Sequence, residues 1–386
     1  MKLLLIAWLV TDCIATFGVF HFLWSLVPLA PADNSPRAAI LVAIKGVHAT
    51  TAQFLDLLCQ QVYPQYRIIF ALESRADPAL ILIEAIRHRL TNRPQIDIVI
   101  AGFTTQRTQK VHNLLAALGA LRDDDAIIVF TDADTLLPPD WLTTLIRPIA
   151  TGEVSASTGY RWPLPTDTRL PTLIGAAADL SVTTAARSRH WNMCWGGSTA
   201  VARGPLDRID LRTVWDRAAS DDVTLTQALR AGRFKINSPL RTLVPSPSAH
   251  TWSSLFGFAR RQHLMLRTYA PRHWLFAGLT LCIPTIGAIA GLLSLAHASR
   301  FGAAALAASI VLLQLRSLIR RRIAARVLPT NALSTAKVTI RFSSWAWPLV
   351  HLVHTLAFVA SCLGPEFTWA GIRYRLEGRT ASVRSR

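Results

Sequence analysis

Two aspartates, Asp132 and Asp134, are separated by one residue and follow the apolar run Ala126-Ile127-Ile128-Val129-Phe130-Thr131. In extended backbone side chains alternate with period two, so both carboxylates would project to one side. Paired oxygen donors suit a hard cation such as Mg²⁺ or Mn²⁺, which also binds diphosphate. The same spacing suits a turn, because Pro138-Pro139-Asp140-Trp141 follows with the character of a helix start.

Other groups carry a similar double meaning. Ser220-Asp221-Asp222 opens a helical stretch at 222–231 that Gly232 closes. Asp221 is a candidate general base for an acceptor hydroxyl; the triplet would equally cap a helix and set acids against its dipole. Glu73 and Asp77 follow a second strand-like run and either face a nucleotide's base and ribose or are solvated loop acids. Lys110 shares a helical face with Asn113 and is either a phosphate contact or part of a solvated face. Trp195-Gly196-Gly197-Ser198-Thr199 reads as a tight turn that lets backbone approach a ligand.

Positioning these residues requires a sheet. Residues 38–44, 66–72, 96–100 and 126–131 are continuous apolar runs, with helical stretches between them at 50–60, 78–90 and 110–121. Unbroken apolar strands alternating with helices predict a mostly parallel sheet in an α/β fold. Ligands of such sheets bind beyond the carboxyl ends of the strands, which is where the acids fall.

The ends of the chain are apolar. Of 386 residues 51% are hydrophobic, and mean hydropathy is +0.32. Residues 1–30 are expected to be an uncleaved transmembrane anchor, being long for a signal-peptide core and followed by a linker from Pro28 to Pro36. Residues 31–271 are expected to form the soluble domain. Spans are expected at about 273–297, 302–319 and 345–363, with a basic loop at 320–343 and a basic tail at 366–386. The span at 345–363 is expected to be re-entrant or interfacial, since a full crossing would put the Arg-rich tail outside.

Many of the basic residues behind the net charge of +18 lie beside these spans, at Arg316, Arg320, Arg321, Arg322 and Arg326 and again from Arg373 to Arg386. That placement points to a membrane surface and away from nucleic acid as a partner. The five cysteines show no CxxC spacing, so neither a zinc site nor a disulfide framework is indicated.

The order of the motifs carries more than any one of them. Lys45-Gly46, Asp77 in Ala76-Asp77-Pro78-Ala79, Lys110-x-x-Asn113-Leu114, Asp132-x-Asp134, Gly196-Gly197-Ser198, Ser220-Asp221-Asp222 and Arg261-Gln262-His263 follow one another. Together they resemble the GT-A-fold glycosyltransferases of family 2, and more closely the ceramide glucosyltransferase-like branch, family 21. Trp369-Ala370-Gly371-Ile372-Arg373-Tyr374-Arg375-Leu376 resembles that branch's W-x-G-x-R-Y-R-L segment, so the resemblance runs from about residue 38 to residue 376.

The resemblance implies a Rossmann-like GT-A catalytic domain joined to transmembrane helices, and an inverting hexosyltransferase working by single displacement. Asp77 would lie near uracil and ribose, with Lys45, Glu73, Lys110 and Asp132 also on the nucleotide sugar. Asp132 and Asp134 would hold Mg²⁺ or Mn²⁺, and Asp221 would be the base. Gly197, Ser198, Asp222, Arg261 and Gln262 would lie on the acceptor side or in the closing loop. Leu264-Met265 stands where the family has Arg-Trp, and Ser220 where it has Glu. The nucleotide half of the pattern is therefore intact and the acceptor half altered, with Arg260, Arg261 and Gln262 the polar residues left at the membrane edge.

The implied reaction moves a sugar from a UDP-sugar, UDP-glucose among the candidates, to the hydroxyl of a membrane lipid such as ceramide. Cytoplasmic nucleotide sugars and an Ala- and Arg-rich, Lys-poor composition place the expected protein in a bacterial inner membrane with its catalytic domain in the cytoplasm. Two rivals stand beside this reading. A processive polysaccharide synthase would need a pore, for which three or four spans are few. A non-catalytic membrane scaffold that keeps the fold is motivated by Leu264-Met265.

Overall fold

The computed structural model describes residues 1–26, 34–90 and 94–386; residues 28–33 of the expected linker lie outside them. The chain divides into two compact units. One holds Pro28–Arg161, Arg187–Ser246 and Pro365–Arg386; the other holds Met1–Val27, Trp162–Ala186 and Pro247–Gly364.

After helix α1 (Lys2–Trp24), strand and helix alternate: β1 (Ala38–Ala43), α2 (Thr51–Cys59), β2 (Tyr66–Leu72), α3 (Ala79–Arg89), β3 (Gln95–Ile100), α4 (Gln109–Leu118), β4 (Ile127–Asp132) and α5 (Trp141–Ala150). There follow β5 (Ala156–Thr158), β6 (Tyr160–Pro165), α6 (Leu170–Thr183), β7 (Thr199–Ala202), α7 (Arg203–Arg208), α8 (Leu211–Trp215), α9 (Asp221–Ala231), β8 (Ile236–Asn237) and β9 (Leu243–Ser248). Helices α10 (Trp252–Tyr269), α11 (Pro271–Ala296), α12 (Arg300–Val327), α13 (Leu333–Trp345) and α14 (Trp347–Ala360) come next, then β10 (Glu366–Trp369), β11 (Ile372–Glu377) and β12 (Thr380–Ser385).

The first unit is built on a sheet of order β3-β2-β1-β4-β7-β5-β8, parallel from β3 to β4. The four expected runs are its parallel strands, and both faces of the sheet are covered. Ile40, Val42, Phe70 and Val129 pack with Phe54, Ile83 and Trp141 on one side. Leu41, Ile69, Ile128 and Phe130 pack with Val111, Leu114, Trp215 and Leu229 on the other. Two apolar faces are why these strands read as unbroken apolar runs. β7 then runs antiparallel to β4, which marks the carboxyl end of β4 as the place where the parallel pattern stops.

The expected basic tail is instead a three-stranded antiparallel sheet, β10-β11-β12. Ile372, Tyr374 and Leu376 are buried while Arg373, Arg375 and Glu377 are exposed, so the arginines are one face of a two-sided strand. Ala370 and Gly371, with φ of 49° and 79°, form the two-residue β10–β11 connection that favours left-handed backbone.

In the second unit, α1, α11 and α12 have 23, 26 and 28 residues and are long and apolar enough to cross a membrane. Trp8 of α1 is fully buried beside Gly287 of α11, where an added Cβ would lie 2.4 Å from that of Trp8. Two expectations for this region change. Residues 320–343 are mostly helix rather than loop, because α12 continues to Val327 and α13 follows. Ile319, Ile323 and Ala324 are buried while Arg321, Arg322 and Arg326 are exposed, a helical rather than loop pattern. Within 345–363, expected to be re-entrant or interfacial, stands α14, whose 14 residues reach about 21 Å, short of the ~30 Å hydrocarbon core. Residues 162–186 and 247–271, expected within the soluble domain, belong to this helical unit, where Ile174 and Ala177 pack with Leu255 and Val350.

Candidate active site

β4 ends at Asp132, and Ala133-Asp134 already lie in the turn that follows. Strand alternation therefore places only the first acid; the turn places the second. Lys110, in the first turn of α4, sends its Nζ to 2.7 Å from Asp132 Oδ1 and 3.0 Å from Asp221 Oδ2. One ammonium joins the end of β4, the start of α4 and the start of α9.

The charges around this bridge compete. Burial pushes the Asp221 carboxyl up to about 6; Lys110 opposes the rise, and the charges of Asp222 and Asp132 add to it. Burial alone would lower the Lys110 pKa, but Asp132, Asp221 and Asp222 hold the ammonium above its usual range. Asp134 is also raised, by burial and then by Asp132, with Arg161 and Lys110 opposing.

The triplet at the start of α9 divides its two expected roles. Ser220 Oγ accepts from Val223 N–H at 3.3 Å, a helix cap. Asp222 accepts from Val223 N–H and Ser220 Oγ, both at 2.7 Å, and from Gly196 N–H at 3.3 Å, so it clamps the glycine turn. Asp221 is left to face Lys110. A Cβ on Gly196 would sit 2.6 Å from Asp221 Oδ2 and 2.7 Å from Lys110 Nζ, so the ion pair passes where only glycine fits. Gly197 C=O accepts from Thr131 Oγ1 at 3.0 Å, and Ser198 Oγ, fully buried, accepts from Trp141 Nε1 at 2.8 Å. The first contact ties the turn to β4 and the second to α5.

Lys45, Glu73 and Asp77 form a second group, at the ends of β1 and β2. Lys45 Nζ is 3.0 Å from Glu73 Oε1. Asp77 accepts from Gly46 N–H at 2.9 Å and from Ala79 N–H at 2.9 Å, clipping the end of β1 to the start of α3. Arg261 and Gln262 lie on α10 in the helical unit; Arg261 is stacked over Phe258 at 5.5 Å and Gln262 is exposed.

Sequence reasoning passed over residues that the tail sheet brings in. The Trp369 ring lies 5.8 Å from Lys110 Nζ, and Tyr374 Oη accepts from Gln109 N–H at 3.1 Å. Arg386 donates to Gln109 Oε1 at 2.7 Å and pairs with Glu73 at 3.4 Å, joining the two groups of site residues. The W-x-G-x-R-Y-R-L segment was a signal for Trp369 and Tyr374 without a role attached. Nothing in the local sequence marks Arg386.

Among the described residues no group of three or more His, Cys, Asp or Glu forms a metal cage. Asp132 and Asp134 do fit a divalent ion as a two-carboxylate platform. The like charge that raises Asp134 is what a dication relieves, and Mg²⁺-type ions take their other positions from water and phosphate oxygens.

The profile of glycosyl transferase family 21 matches residues 4–381. The chain belongs to this family. It is a glycosyltransferase whose first unit is α/β. No curated protein matches the transferase by sequence. Among solved structures it is similar to a mannosyltransferase from Pyrobaculum calidifontis in complex with GDP-Man and Mn²⁺. The identity is 17%, the match covers 93% of this chain and 99% of the other, and the TM-score is 0.49. It is also similar to glucosyl-3-phosphoglycerate synthase from Mycobacterium tuberculosis in complex with Mn²⁺, UDP and glucosyl-3-phosphoglycerate. There the identity is 15%, with 62% and 85% covered and a TM-score of 0.39.

Proposed function

We propose that this family 21 glycosyltransferase moves a sugar from a UDP-sugar to a hydroxyl of a membrane lipid, with inversion at the anomeric carbon. The observation that carries the proposal is the Lys110 bridge, which brings the diphosphate-side acid Asp132 and the proton acceptor Asp221 to one ammonium. Asp221, with its carboxyl raised to about 6, is ionised at neutral pH and basic enough to take the proton of an attacking hydroxyl. Inversion needs one such base and one departing nucleoside diphosphate on opposite sides of the sugar. Lys110 and Asp132 serve the leaving side. A divalent ion held by Asp132 and Asp134, Mg²⁺ or Mn²⁺, supplies charge that offsets the departing diphosphate. Lys45, Glu73 and Asp77 serve the uracil and ribose end.

The lipid acceptor rests on α1, α11 and α12, three helices of membrane-crossing length in the chain that holds the transferase site. A lipid hydroxyl lies at headgroup level, and anchoring the enzyme there supplies proximity. UDP-glucose is the first donor to test, ceramide and related lipids the first acceptors, and a bacterial inner membrane with the catalytic unit cytoplasmic the setting.

The test is UDP release by the full chain in nanodiscs, with a panel of UDP-sugars, Mn²⁺ and total membrane lipid. Lipid-dependent release with a new glycolipid in the mass spectrum is the expected result. A long polymer as product would replace the proposal with a polysaccharide synthase. Absence of UDP binding with Mn²⁺ would replace it with a scaffold.

A further inference from the structure

The helical unit keeps charge where apolar side chains are the rule. Asp12, near the middle of α1, is buried; its Oδ1 is 2.7 Å from Arg316 Nη2 and its Oδ2 accepts from Ser309 Oγ at 2.5 Å. One turn further along α12, Arg320 is 7% exposed and donates to Thr184 Oγ1 at 3.1 Å and Ser181 Oγ at 3.4 Å. Among the described residues it has no carboxylate partner. Of these two buried guanidinium groups only Arg316 has an acid, which leaves the charge of Arg320 without an anion in a unit with helices of membrane-crossing length. Such a charge is costly and marks a site by default.

The two arginines open onto a pocket that Ser181, Ser343, Trp347 and His351 also line. None of its lining residues is acidic. Among the described residues Arg316 Nε and His351 Nδ1 lack hydrogen-bond partners, while Ser181 is exposed and gives access from outside. What the pocket offers is a set of donors whose one counter-charge, Asp12, is taken up by Arg316. Guanidinium groups match phosphate oxygens in pairs, more tightly than a neutral donor can. The exposed Arg321 and Arg322 continue α12 beside it, the basic flank expected at anionic headgroup depth.

We propose that this pocket binds the phosphate of an anionic phospholipid, with Arg320 as its principal contact and Arg316 and His351 completing the donor set. The lipid is a bound component of the helical unit, separate from the acceptor whose hydroxyl receives the sugar. The proposal rests on reading α1, α11 and α12 as membrane helices and not on the transfer chemistry, so failure of UDP release leaves it standing.

Native mass spectrometry of the delipidated full chain in detergent tests it, with phosphatidylglycerol, diacylglycerol of the same tails, and inorganic phosphate as probes. The expected result is retention of one phosphatidylglycerol per chain and none of the diacylglycerol. Arg320→Gln, losing a charge-assisted contact, should weaken retention by about tenfold or more. Ser181→Phe, which fills the mouth and keeps both arginines, should abolish it, and Arg321→Gln on the exposed face should leave it intact. Ser181→Phe decides the matter if Arg320→Gln does not fold. Equal retention by wild type, Arg320→Gln and Ser181→Phe would overturn the proposal. So would equal uptake of diacylglycerol, or binding of inorganic phosphate with no retention of the lipid.

Discussion

Lys110 Nζ stands 3.0 Å from Asp221 Oδ2, so the cation of α4 and the carboxylate of α9 neutralise one another at the edge of the sheet. The ammonium restrains a carboxyl that burial has pushed up to about 6. Taking the cation away removes that restraint. A base works when deprotonated, so the wild-type rate should fall as pH drops through about 6. In Lys110→Met the acid limb of the pH–rate profile should move to higher pH and kcat should fall; Lys110→Arg should move the limb back. An unmoved limb in Lys110→Met would remove Lys110 from the environment of the base.

Asp221→Asn keeps the size of the side chain and removes the proton acceptor. Loss of general-base catalysis typically costs about 10²–10⁴-fold. The expected outcome is a kcat lowered by that order with UDP affinity changed only a few-fold, because Asp132, Asp134 and the Lys45–Glu73 pair are untouched. Calorimetric titration with UDP and Mn²⁺, beside glycolipid formation, separates the two quantities. A variant that turns over like wild type would exclude Asp221 as the base.

The parallel half of the sheet was legible because each strand is buried on two faces and flanked by helices, so length and apolarity settled it. The meeting of Asp132 with Asp221 was legible only through motif order, since they lie 89 positions apart and no local pattern connects them. Charge misled twice. Arg320 to Arg326 read as loop because arginine count hid a helical face, and Arg373 and Arg375 read as tail because it hid a period-two strand. Gly196 was seen as turn chemistry, but its reason lies in two side chains brought from α4 and α9. Arg386 reaches Glu73 and Gln109 through a sheet contact that no local sequence feature encodes.

Asp132 and Asp134 carry like charge at the end of β4, and burial together with Asp132 holds the Asp134 carboxyl above its usual value. A divalent cation is the natural counter-charge. Chelation should stop UDP release, and added Mn²⁺ or Mg²⁺ should restore it. Asp134→Asn removes one of two carboxylate ligands and should raise the Mn²⁺ concentration for half-maximal rate by about tenfold or more. An unchanged metal requirement would take Asp134 out of the pair.

Gly196→Ala places a methyl group 2.6 Å from Asp221 Oδ2 and 2.7 Å from Lys110 Nζ. At those distances the Asp221 carboxylate and the Lys110 ammonium must both move, or the turn must. Activity should drop by about 10²-fold, the scale at which misplacing a reacting group by an ångström acts, while circular dichroism stays that of the wild type. Activity within twofold of wild type would show that the Lys110–Asp221 contact is not needed for turnover.

Arg67 tests the framework apart from the chemistry. At 1% exposure it joins Asp125, fully buried, and Asp97, each at 2.5 Å, and also donates to Ala120 C=O at 2.8 Å. Burial would raise the Asp125 carboxyl, but the Arg67 hydrogen bond, the Arg122 N–H and the charges of Arg67 and Arg37 outweigh it and hold the pKa below its ordinary value. A lowered carboxyl contributes stability above its unfolded pKa and loses it as pH falls through the folded one, so this contribution is present at pH 7 and lost in acid. Arg67→Met leaves buried Asp125 with only the more distant Arg37, at 3.8 Å, and the Arg122 N–H, and should cost about 3 kcal/mol. The double variant Arg67→Met/Asp125→Leu replaces the buried pair by apolar groups and should recover most of that loss. Thermal unfolding in detergent at pH 7 measures both. Equal destabilisation in the single and double variants would mean that the loss comes from Arg67's packing and its contact to Ala120, not from the stranded acid.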